Sequence, residues 1–213
     1  MRPRFVAVLA PLLALLLPVA TLAATPPASL VEGVQYETVE DPGNYRPVKP
    51  GQIEVVEIFA YTCPHCAHFA PLFEAWKAKQ PKNVVVRYTP AAYDTTDTLS
   101  RGFFAAQRIG ALQKTHMATF RALHDERVLP MDPTDDEMVT YYAALGVDAT
   151  KFRAALDSKA VQDDMQAANA FSKRVLRKGT PELIIGGRWR ILGNSFEEML
   201  RNAAAVAAHP PAS

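Results

Sequence analysis

Two cysteines occur in 213 residues, and both lie within Cys63-Pro64-His65-Cys66. Thiols at that spacing can join in a disulfide, but the ring is too small to restrict the unfolded chain much. A small secreted scaffold stapled by disulfides would carry more cysteines, spread along its length. The pair is therefore better suited to react than to brace. Its reaction is thiol–disulfide exchange, in which a thiolate attacks a disulfide sulfur. The thiolate is the reactive form, so the chemistry depends on what lowers the pKa of Cys63.

Other uses of two thiols compete. Zinc takes about four ligands, whereas only His65 and His68 are nearby and there is no second cysteine pair. Attached haem needs a histidine directly after the second cysteine, where Ala67 stands. A passive structural disulfide is the remaining alternative. The catalytic dithiol Cys63 and Cys66 is the preferred reading, with no metal and no organic cofactor expected.

A thiolate must be placed where negative charge is favoured, and the flanking sequence predicts such a place. Residues 53–61 are a strongly apolar, β-branched run, read as a buried central strand. Phe69, Leu72, Phe73 and Trp76 follow at i, i+3, i+4, i+7, the spacing of one helical face. Pro64 suits the first turn, where its missing N–H costs nothing, and Pro71 should kink or stagger the helix. Cys63 then sits at the helix N-terminus, where N–H groups lack partners and the peptide dipoles point their positive ends. His65 adds a polar neighbour that can carry positive charge.

The remaining elements follow from similar signals. A first strand is expected within 34–39, a turn-rich loop over 41–51, and a second buried strand over 83–89. From about 98 to 177 the pattern is helical, broken by Pro130 and Pro133. Thr134-x-x-Glu137 reads as a capping box. Gly146 should end that helix and Asp148 should cap the next. Residues 182–185 and 188–192 read as strands joined by Gly186-Gly187, a hairpin signal. Ser195-x-x-Glu198 opens a last helix, to about 208.

Charge excludes some functions. With 23 basic and 22 acidic residues, the near-neutral balance gives no sign of nucleic-acid binding. Arg2 and Arg4, the apolar run 5–20 and Thr21-Leu22-Ala23 read as a cleavable export signal over 1–23. The run is short of the roughly 20 uninterrupted apolar residues of a membrane span, and it carries Pro11 and Pro18.

Glu57-Ile58-Phe59-Ala60-Tyr61-Thr62-Cys63-Pro64-His65-Cys66, with Thr180-Pro181 far downstream, resembles the DsbA family of periplasmic disulfide oxidases. The resemblance implies an α/β, thioredoxin-like fold with an inserted helical subdomain. The thioredoxin-like part would comprise 24–97 and 178–208, the insertion 98–177, and residues 209–213 a disordered tail. It also implies that Cys63 and Cys66 are catalytic and that Pro64, His65 and Glu57 tune them. Thr180 and a cis-Pro181 would bind substrate; threonine stands where the family often has valine. Glu57 would be the buried acid managing protons for Cys66, with Arg87 as its basic partner. This family is a standard illustration of a low thiolate pKa and an oxidising dithiol, so those properties come by likeness.

The implied function is a monomeric periplasmic oxidase that donates its disulfide to newly exported, reduced proteins. A DsbB-type membrane quinone oxidoreductase would reoxidise it. Two alternatives remain: a reductase or isomerase, and a non-catalytic chaperone for exported chains that keeps an inert disulfide. His68, His116 and His124 are expected in solvated or core-capping positions.

Overall fold

A computed structural model describes residues 30–212, so the expected export signal lies outside the described residues. A five-stranded sheet forms the centre. Its strands are β1 (Tyr36–Thr38), β2 (Ile53–Phe59), β3 (Val84–Pro90), β4 (Glu182–Ile185) and β5 (Trp189–Ile191). Their order is β1-β5-β4-β2-β3. β2 pairs parallel with β3 and antiparallel with β4, while β5 is antiparallel to both β4 and β1. The apolar run that predicted a central strand is thus buried by a neighbour on each edge. The observed strands fall within a residue or two of the expected ones.

Side chains alternate across β2, and the two faces build two cores. Val55 and Phe59 join Leu183 and Ile185 in the larger cluster. This face is covered by α1 (Pro64–Lys77), α3 (Leu112–His124) and α7 (Phe196–Ala208). Val56 and Ile58 join Ile184 on the opposite face, against Phe171 and Val175 of α6 (Lys159–Val175). Phe69 and Phe73 of α1 are fully buried, as the periodic stripe requires. Each such burial contributes about 1.5–3 kcal/mol. α1 runs unbroken through Pro71.

Between β3 and β4 the chain forms α2 (Thr98–Arg108), α3, α4 (Asp135–Ala144), α5 (Ala149–Leu156) and α6. Polar caps set where they begin. Asp97, Thr134, Asp148 and Ser158 each accept a backbone N–H of the first turn. Thr134 and Glu137 complete the expected capping box. Gly146, at φ +78°, follows α4 in the left-handed conformation that glycine adopts without strain. Among the described residues no helix is long and apolar enough to cross a membrane.

Gly186 and Gly187 turn the β4–β5 hairpin with φ of +57° and +61°. These are the values a two-residue turn needs to match strand twist. Gly187 also lies against the chain near Gly43, where an added Cβ would fall 2.1 Å from backbone atoms.

Candidate active site

Cys63 is the N-cap of α1 and Pro64 is its first helical residue. Proline is tolerated there because that N–H would be unpaired anyway. The Cys63 carbonyl accepts the N–H of Ala67 at 3.1 Å and so opens the helical ladder. Its thiol is half-buried, whereas Cys66, one turn into the helix, is completely buried. Both are free thiols.

The Cys63 thiol donates to the carbonyl of Thr180, 3.2 Å away and 117 residues along the chain. The Thr180–Pro181 bond is cis, as the resemblance implied. Burial alone would raise the Cys63 pKa. Hydrogen bonding from the Thr180 side chain, the amide and thiol of Cys66 and the amide of His65 outweighs it, leaving Cys63 below the ordinary thiol value. The contribution of His65 is its backbone N–H, and its side chain is exposed. Burial pushes Cys66 far above its ordinary value. Two thiols three residues apart are therefore unequal: one is accessible and acidic, the other sealed and held protonated.

Glu57 lies beneath them on β2, 1% exposed, with neither carboxyl oxygen hydrogen-bonded. Burial raises it to about 8; the nearby Glu74 adds to the rise and Lys77 opposes it. A buried acid with no partner is best kept neutral.

The expected basic partner is not where the resemblance placed it. Arg87 Nε pairs with Glu54 Oε1 at 2.8 Å. The reason is strand alternation. In the β2–β3 register Arg87 stands opposite Val56, and Tyr88 opposite Glu57. Residues paired across strands share a face, so Arg87 and Glu54 lie on the α6 side and Glu57 on the other. Beside Glu57, the Tyr88 hydroxyl donates to Glu74 and accepts from Lys77 Nζ at 3.1 Å.

Two histidines left without a role by the sequence brace the approach to Cys63. His116 is buried among Phe59, Phe103 and Phe120, with Nδ1 2.9 Å from the Tyr61 hydroxyl. Burial, then the nearby Lys77, pushes its pKa down to about 3, so it is neutral. His124 donates from Nε2 to the Tyr61 carbonyl at 2.7 Å; a carbonyl only accepts, which fixes the tautomer. His116 and Phe120 share a helix face at i, i+4, a signal that marks burial but not this contact. A cleft of about 420 Å³ between α1 and α3 is lined by Pro64, Ala67, Pro71, Met117, Phe120 and His124.

An unequal dithiol opening a helix, set on this sheet, places the protein among thioredoxin-like thiol–disulfide oxidoreductases. Residues 89–205 match the family described as DSBA-like thioredoxin domain. The chain is 35% identical over 197 residues to the thiol:disulfide interchange protein DsbA of Bordetella parapertussis, covering 87% of this chain and 91% of that one. It is 32% identical over 190 residues to the DsbA of Burkholderia cepacia, covering 88% and 87%. The crystal structure of the oxidoreductase DsbA from Xylella fastidiosa superposes with a TM-score of 0.79 at 36% identity, over 84% of this chain and 96% of that one. The chain belongs to the DsbA family.

Proposed function

We propose that the protein oxidises pairs of thiols in exported proteins, with Cys63 as the exchanging sulfur. In the oxidised enzyme a substrate thiolate attacks Cys63 Sγ and the Cys63–Cys66 bond breaks. Cys66 leaves as a thiolate and takes up a proton, because its burial strongly favours the thiol. Glu57, neutral at pH 7, is the proton source in this reading. A second substrate thiolate then attacks the substrate sulfur of the mixed disulfide, and Cys63 departs as a stabilised thiolate. The substrate loses two electrons and the enzyme dithiol gains them.

The edge near Thr180 and Pro181 would hold an extended substrate by strand-like pairing, with Pro64 and His65 shaping the turn beside it. Reoxidation falls to a quinone-linked membrane protein of the DsbB type, in the periplasm, after removal of 1–23. The division into 24–97 with 178–208 and an inserted 98–177 is part of the same reading. Five consecutive helices between β3 and β4 support it.

One observation carries this function. Cys63 lies at a helix N-terminus with a lowered pKa, while its partner is buried with a raised one. The test is to titrate the Cys63 thiolate by its ultraviolet absorbance and to equilibrate the pair against glutathione. Cys63 is expected to ionise below free cysteine, and the disulfide to be reduced readily. A thiol that ionises at or above the free value defeats the proposal.

A further inference from the structure

Glu182 directly follows Pro181 and is 5% exposed, although it carries a carboxylate. Its oxygens accept the N–H of Lys178 at 2.7 Å and that of Arg177 at 3.3 Å. The carboxylate therefore spans Gly179-Thr180-Pro181 and ties the residue after that segment to two residues before it. Behind it stands Arg190, 3% exposed, with Nε 3.2 Å from Glu182 Oε2. Register explains the pairing: Arg190 lies opposite Ile184, which shares a face with Glu182. The remaining nitrogens of Arg190 bond the Val175 carbonyl, at the end of α6, and Glu37 Oε2 at 3.3 Å. At the apex of the bridged segment, the Thr180 carbonyl reaches Cys63.

A connecting loop is ordinarily among the more mobile parts of a fold. Here two of its amides are held by an ionised acceptor, and charge-assisted hydrogen bonds are roughly twice as strong as neutral ones. A buried ion pair is weak evidence for a stabilising purpose, because desolvation offsets much of the attraction. Its observed reach, to the loop that meets Cys63, suggests a different one.

We propose that Glu182, backed by Arg190, is a positioning residue. It fixes the Thr180 edge so that an extended substrate meets a preformed surface beside Cys63. This rests on the reading of Cys63 as the attacked sulfur and Thr180 as a substrate contact. The order imposed on residues 177–181 is supplied before substrate arrives, so it is not drawn from binding. Loosening the clamp therefore raises KM for peptides and leaves kcat nearly unchanged.

The test follows oxidation of a synthetic unfolded peptide with two cysteines, using glutathione disulfide as the terminal oxidant. Removing Glu182 alone would take from the buried Arg190 one of its two carboxylate partners and could unfold the chain, so paired substitutions are compared. Glu182→Leu with Arg190→Met removes both the charge and the acceptor. Glu182→Gln with Arg190→Met removes the charge but keeps an oxygen for the Lys178 N–H. Glu182→Asp, in the otherwise intact protein, keeps the charge but withdraws it by one methylene.

The Leu pair is expected to raise KM about tenfold over the Gln pair, with kcat within about twofold. Asp should raise KM in the same direction. Equal KM values for the two pairs, with only melting temperatures differing, overturn the clamp, as does an Asp variant with unchanged KM. If the unsubstituted protein oxidises the peptide no faster than Cys63→Ser, the failure belongs to the dithiol reading instead.

Discussion

Glu57 is a carboxyl group with no hydrogen-bond partner beneath a pair of thiols. Its folded pKa of about 8 lies above the ordinary value of 4.5. Between those two values the folded chain holds a proton that the unfolded chain has lost. The sign of the linkage follows: the stability is complete below the unfolded pKa and declines as pH rises through that interval. The decline is on the order of a few kcal/mol from about pH 5 to about pH 8. Glu57→Gln is expected to flatten it, so the variant gains on the parent as pH rises. Urea unfolding of the reduced forms at several pH values measures this, and parallel profiles would refute a neutral Glu57. On the proposed role of Glu57 as the proton source for Cys66, the same substitution should also alter the pH profile of exchange.

At the scale of elements, most boundaries trace to a few polar or glycine residues. Gly146 and Gly187 both have positive φ, but their surroundings differ. A Cβ at Gly146 would meet nothing within 4 Å, whereas one at Gly187 would strike the backbone of Gly43. Gly146→Ala is therefore expected to cost about 1 kcal/mol, from backbone conformation alone. Gly187→Ala adds overpacking and should cost about 2–4 kcal/mol. Chemical denaturation of the two variants separates them; equal losses would mean that the hairpin tip gives way without resistance. The hairpin matters beyond stability, since β4 begins at Glu182 and β5 carries Arg190.

At the scale of the molecule, the redox state and the fold are coupled. Stabilisation of the Cys63 thiolate by the start of α1 exists only when the disulfide is open. The reduced protein is therefore expected to be more stable than the oxidised one, by about 1.4 kcal/mol for each unit by which the thiolate pKa is lowered. Urea unfolding of both forms at neutral pH reads the difference directly. A more stable oxidised form would instead fit a chaperone that keeps an inert disulfide, and such a protein should retain activity in Cys63→Ser.

Local rules made much of this legible in the sequence. The apolar run before Cys63, the stripe Phe69-Leu72-Phe73-Trp76 and the caps at Thr134, Asp148 and Ser195 each act within a few residues. Such short-range constraints place a dithiol at a strand-to-helix junction whatever the rest of the chain does. The partners of that dithiol came from elsewhere. Whether Arg87 meets Glu57 or Glu54 depended on the β2–β3 register, and alternation of the strand gave it to Glu54. The bond from Cys63 to Thr180, and the grip of Glu182 and Arg190 on that loop, join segments whose spacing in the chain carries no sign of contact. Sequence determined the cysteine pair and the elements carrying it, because propensity and capping are local. Tertiary structure decided which groups surround the sulfurs, because burial and hydrogen bonding depend on which strands and helices finally meet.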